Sequence, residues 1–147
     1  MIDGVRLTPL KIISSPGGAV RHGLRLGDPG FVGFGEAYFS TVESDAIKAW
    51  KCHRRVTLNI VVPLGKVRFV IFDDREGSSS RGEFHEHVLS DQENYQRLTV
   101  PPGLWFGFEG LADGPSLLMN IIDLPHDHTE ADVLSLYEIP YKSWLGR

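Results

Sequence analysis

The chain has 147 residues, enough for one domain with a core that needs no disulfide or metal staple. Its 41% hydrophobic and 23% charged residues exclude a disordered chain, and the formal net charge of -4 argues against nucleic acid or an acidic membrane as partner. Cys52 is the only cysteine, which excludes an internal disulfide and suits a reducing compartment. With no signal-like start and no apolar run near the ~18 residues of a membrane helix, a cytoplasmic protein is expected.

Short β-type runs recur between turn signals from the N-terminus onward. VRLTPLKII (5–13) leads into the turn SSPGG, and GDPGFVGFG (27–35) reads as a loop entering the strand EAYFS. IKAWKCH, VTLNIVVPL, KVRFVIF, EFHEHVL, YQRLTVP, LWFGFEGL and SLLMNIIDL follow, each rich in β-branched or aromatic residues. They are separated by DDREGSSSRG (73–82), PPG (101–103) and ADGP (112–115). TEADVLSLY (129–137) reads as a helix with Thr129 as its N-cap. Many short strands with one late helix predict an all-β antiparallel jelly-roll β-barrel with a short C-terminal helix, spanning 1–147 as a single domain.

Three stretches carry chemistry. In AIKAWKCHRR (46–55), alternation puts Lys51 and His53 on one strand face and Trp50 with Cys52 on the other, and periodicity alone does not choose which face is inward. His85-Glu86-His87 is an H-x-H pair whose acidic and polar neighbours point to a surface face. His126-Asp127-His128 follows Pro125 and reads as a polar loop. The glycine-rich 27–35 segment lacks the strand–turn–helix context of a phosphate loop.

A jelly roll with this lysine–histidine strand resembles the cupins. Lys51-Cys52-His53 stands where cupins have H-x-H, Leu58 where they have Glu, and Gly65 at their glycine. Pro101-Pro102-Gly103 matches P-x-G, and Phe106 takes the place of the last histidine. Of the four metal ligands only His53 remains, and a lone imidazole does not hold iron, manganese or zinc. A barrel without metal or other cofactor is expected.

More closely, residues 2 to about 125 resemble the dTDP-4-dehydrorhamnose 3,5-epimerase family, a metal-free branch of the cupins. The similarity runs through IDGVRLTPLKIISSPGG, LGKVRFVIFDDREGSSSRGEF, SDQENYQRLTVPPGLWFGFEGL and LLMNIIDLPHD. It implies a homodimeric jelly roll that holds a nucleotide-linked 4-keto sugar. The implied reaction moves a proton next to the ketone with a histidine base, an oxyanion-stabilising lysine and a tyrosine acid.

Residue by residue, the family's RGLHYQ strand falls on residues 48–53, with Lys48 at its phosphate-contacting arginine. The base falls on Lys51 by direct count, or on His53 with a shorter loop. The family lysine falls near Thr57 or Leu58, a pocket histidine on Phe106 and the tyrosine on Leu124, while an aspartate is kept as Asp73. The leading expectation is an epimerase or isomerase with His53 as base, Lys51 polarising the carbonyl and Asp73 orienting. Substrate contacts are expected from Lys48, Arg55, Arg97, Trp105 and Phe106, with Trp105 favoured for stacking a nucleobase and Arg54 as a further basic candidate. The alternative is a binding member that has lost the chemistry, which Leu58, Phe106 and Leu124 favour. A third reading, a metal-dependent oxygenase, requires ligands this chain does not have.

Overall fold

Alternating apolar and polar residues between glycine and proline breaks give, in a computed structural model, twelve strands and no helix among the described residues, 1–146. Numbered in chain order, one five-stranded sheet runs β1 (Arg6–Pro9), β9 (Gln96–Val100), β6 (Leu58–Leu64), β11 (Ser116–Ile122), β4 (Glu36–Val42). The second runs β12 (Ala131–Val133), β5 (Ile47–His53), β10 (Trp105–Gly110), β7 (Lys66–Phe72), β8 (Phe84–Ser90). A separate hairpin joins β2 (Ile12–Ser15) to β3 (Gly18–Arg21) through the SSPGG turn. All named strand pairs are antiparallel, and the two sheets face each other as a jelly roll.

Between the sheets lies a core built from Leu58, Ile60 and Val62 of β6 against Val67, Phe69 and Ile71 of β7. A second core lies outside the second sheet, where Trp50 and Val70 are covered by Ile139, Tyr141 and Trp144 of the C-terminal segment. The second sheet is therefore buried on both faces along β5. Trp50 is core on the outside, which leaves the opposite face of β5 free to turn Lys51 and His53 inward.

The expected helix over 129–137 does not form. Asp127 Oδ1 instead accepts the Thr129 N–H and Oγ1–H, both at 2.8 Å, and Ala131–Val133 adds to the edge of β5. The open edge of the second sheet supplies backbone partners that a short isolated helix cannot match.

Close approach explains one glycine in β10. A Cβ at Gly107 would lie 2.5 Å from Ala49 Cβ and 2.9 Å from the Trp144 ring, so its absence lets the C-terminal segment reach the sheet. Trp144 Nε1 then donates to the buried Glu109 Oε2 at 2.9 Å. Among the described residues no helix is long and apolar enough to cross a membrane.

Trp144→Ala should remove this outer core and lower stability by about 3–5 kcal/mol. A urea unfolding midpoint measures it, and an unchanged midpoint would show that the C-terminal segment is not a structural element of the sheet.

Candidate active site

A cavity of about 440 Å³ opens between the sheets. The first sheet lines it with Tyr38, Ser40, Ile60, Leu118 and Asn120, and the second with Lys48, Lys51, His53, Phe69, Phe106 and Phe108. Three basic side chains of one strand reach the same cavity because β5 carries a bulge. Phe106 pairs with Lys51 and Phe108 with Lys48, so β5 spends one residue more than β10 between the two pairs. Strict alternation would send Lys48 to the other face from Lys51; the extra residue brings it in. Lys48 Nζ donates to Thr41 O at 3.0 Å and lies 6.0 Å from the centre of the Phe108 ring.

His53 sits at the end of β5, buried, with Nδ1 2.6 Å from Glu130 Oε2. Glu130 is equally buried, and its Oε1 accepts the Arg55 N–H at 2.6 Å and the Val56 N–H at 2.9 Å. The carboxylate therefore has donors at both oxygens. Burial pushes the Glu130 carboxyl up, but the His53 hydrogen bond and the two backbone donors outweigh it and hold the group below its ordinary value. Its charge makes Nδ1 the protonated nitrogen of a neutral imidazole, leaving the Nε2 lone pair as the basic site.

For His53 itself, burial lowers the pKa, the Glu130 hydrogen bond opposes this, and the nearby Lys51 charge adds to the lowering. The net shift is downward, so the ring is a neutral base at neutral pH. The Phe106 ring lies near-parallel at 6.0 Å between centroids, shielding the imidazole from water. Phe106 thus lines the cavity and covers the base.

Several expected residues lie elsewhere. Asp73 does not orient His53; Glu130 holds that position. The Asp73 carboxylate is buried in its own loop, accepting from Arg75 N, Nε and Nη2 and from the hydroxyls of Ser78 and Ser80. The Arg75 guanidinium, with the two serines, holds it well below the usual carboxylate range. Arg97 is not a phosphate contact: it is fully buried and donates to Asn59 Oδ1, Gly23 O and Pro29 O, tying the 23–30 loop to the first sheet. Trp105 alternates with Phe106 along β10, so it faces the outer core with Trp50 and is not in the cavity. Arg55 is exposed beyond β5 and serves Glu130 through its backbone, while Arg54 pairs with Asp132 at the surface.

The histidine pairs divide. His85 and His87 are not a surface face: in register opposite Ile71 and Phe69, they are half-buried, and Glu86 is the exposed member that meets Tyr141. His126 and His128 are exposed in a polar loop as expected. Among the described residues no three His, Cys, Asp or Glu side chains converge as a metal ion requires. Leu124, at the position the resemblance gives to a tyrosine, packs against the inner core.

Two residues escaped the sequence reading. Glu130 lay inside the expected helix, 77 positions from His53, with no local signal linking them. Tyr38 looked like one more aromatic strand residue. It reaches the cavity beside Asn120, whose Nδ2 donates to Tyr38 Oη at 2.9 Å, and it also borders a smaller space of about 270 Å³ with Glu36, Lys51 and His126.

Because the folded imidazole titrates below its ordinary value, the stability it contributes is complete above that ordinary value and is lost as pH falls from there through the lower folded pKa. An NMR titration should find the His53 ring neutral at pH values where free imidazole is half charged. Glu130→Gln removes the interactions that raise the pKa and should move it lower still; an upward move would contradict the pairing.

No protein-family model matches the chain. The fold matches the crystal structure of a dTDP sugar isomerase from Desulfovibrio desulfuricans G20 with a TM-score of 0.94 and 37% identity, covering 99% of this chain and 94% of that one. A probable low-salt glycan biosynthesis epimerase, Agl13 of Haloferax volcanii, is 32% identical over 97 residues, which are 65% of this chain. The match spans 62% of that relative's length. A dTDP-4-dehydrorhamnose 3,5-epimerase from Bacillus anthracis, solved with TDP and PPi bound, shares the fold at a TM-score of 0.81 with 20% identity, covering 95% of this chain and 84% of that one.

Proposed function

The chain belongs to the dTDP-4-dehydrorhamnose 3,5-epimerase family, and on that footing we propose a metal-independent epimerase or isomerase of a nucleotide-linked 4-keto-deoxy sugar, acting in polysaccharide precursor synthesis. His53 in the cavity wall, held by the buried Glu130, carries this reading. His53 Nε2 takes the proton from the carbon next to the ketone. The C–H electron pair moves into the enolate, whose oxygen is stabilised by the Lys51 ammonium, and Glu130 stabilises the imidazolium that forms.

In this reading Lys48, which lines the cavity, meets an anionic part of the ligand, and Phe106 and Phe108 present apolar faces to a deoxy sugar. A member that only bound its ligand would have no use for a buried carboxylate that fixes the tautomer of a cavity histidine, so that alternative is not favoured. A homodimer in the cytoplasm belongs to the same reading. Supporting it are the exposed Ile12, Ile13 and Val20 of the β2–β3 hairpin, with Phe34 and Phe39, which suit contact with a second copy.

Incubation with dTDP-4-keto-6-deoxyglucose in deuterium oxide should incorporate deuterium next to the ketone, read by NMR. His53→Ala should slow this roughly 10²–10⁴-fold. Saturable binding without any exchange in the wild type would instead identify a binding protein.

A further inference from the structure

Proton abstraction by His53 accounts for half of an epimerisation; the other half is delivery of a proton to the opposite face. Position 124 cannot deliver it, since Leu124 is an apolar side chain packed on the inner core. Among the described residues that line the cavity, Tyr38 alone carries a phenol.

Tyr38 belongs to β4 of the first sheet, and His53 and Lys51 belong to β5 of the second, so a ligand lying between the sheets has these groups on different sides. We infer that Tyr38, positioned by Asn120, is the acid that returns a proton to the enolate from the face opposite His53. This rests on the functional reading above, and it places the acid on β4 and not at position 124, where the family resemblance puts the tyrosine.

Three features fit the assignment. Tyr38 and Asn120 are direct cross-strand partners of β4 and β11, so both side chains leave the same face of the sheet. The Asn120 amide donates to Tyr38 Oη, which occupies an oxygen lone pair and leaves the phenolic O–H to donate into the cavity. Asn120 Oδ1 is buried without a protein partner among the described residues, an acceptor suited to a sugar hydroxyl. The charged and titratable groups nearby are Glu36 on the same strand, Lys51 across the cavity and His126 at its edge. Burial, aided by the Glu36 charge and opposed by the Asn120 hydrogen bond, raises the phenol above its ordinary value, so it is protonated at neutral pH.

The step balances without a redox partner. His53 Nε2 gains the proton from carbon, and the electron pair forms the enolate against Lys51. The Tyr38 O–H bond then breaks as a new C–H bond forms on the other face, and the ketone is regenerated with inverted configuration. The imidazolium loses its proton to water and the phenolate takes one from water, which restores both groups.

Tyr38→Phe keeps the ring and separates the two halves of the reaction. With dTDP-4-keto-6-deoxyglucose in deuterium oxide, the wild type should give the deuterated epimer. Tyr38→Phe should form epimer roughly 10²–10⁴-fold more slowly, yet still exchange deuterium into unepimerised substrate in a His53-dependent way. Thermal unfolding checks that the variant is folded. Epimer formation at the wild-type rate in Tyr38→Phe overturns the assignment, and so does loss of exchange together with epimer formation in the folded variant. A wild type that neither exchanges nor epimerises overturns the functional reading itself, and this proposal with it.

Discussion

One hydrogen bond, His53 Nδ1 to Glu130 Oε2 at 2.6 Å, ties the chemistry of the cavity to the architecture of the C-terminal third. Glu130 reaches His53 only because β12 pairs with β5, with Ala131 directly opposite His53 in the register. That pairing continues into the segment that covers Trp50 with Ile139, Tyr141 and Trp144. The orienting carboxylate is thus carried by an added edge strand whose continuation is held by aromatic packing on the outer face of the sheet. Burial and function use different residues on opposite faces of one strand: Trp50 outside, Lys51 and His53 inside.

The electrostatics follow from this placement. A carboxylate as buried as Glu130 stays ionised because an imidazole and two backbone N–H groups serve it. The imidazole in turn stays neutral because desolvation and the Lys51 charge outweigh the pull of the carboxylate. Such opposed environments separate an ionised acceptor from a neutral base at one pH. The bulge in β5 adds the remaining element, Lys48 beside Lys51 along a wall that is largely aromatic and aliphatic.

Where the sequence misled, the cause was a partner or a strand face that residue type alone does not reveal. The family resemblance offered Asp73 as the orienting carboxylate, yet Arg75 and two serines within seven positions satisfy it. Arg97 was an expected substrate contact, but it is buried, donating to Asn59 and to two carbonyls of the 23–30 segment. Trp105 and Phe106 differ by one position, and alternation along β10 sends one to each side of the sheet. The expected 129–137 helix lost to an unpaired sheet edge, a competition that no local pattern reveals.

The sequence by itself determined the limits of two strands at the site: IKAWKCH and KVRFVIF coincide with β5 and β7, since their ends are set by local turn chemistry and β-propensity. It also determined that Lys51 and His53 share a face, because alternation is a property of any strand. Only the tertiary structure decided that this face is the inner one. Choosing between the faces depends on what covers the other, and that cover comes from residues 134–146, far along the chain. For the same reason the identities of Glu130 and Tyr38 as companions of His53 belong to the fold. Glu130 bonds His53 and Tyr38 lines the same cavity, from positions in the sequence that carry no trace of this arrangement.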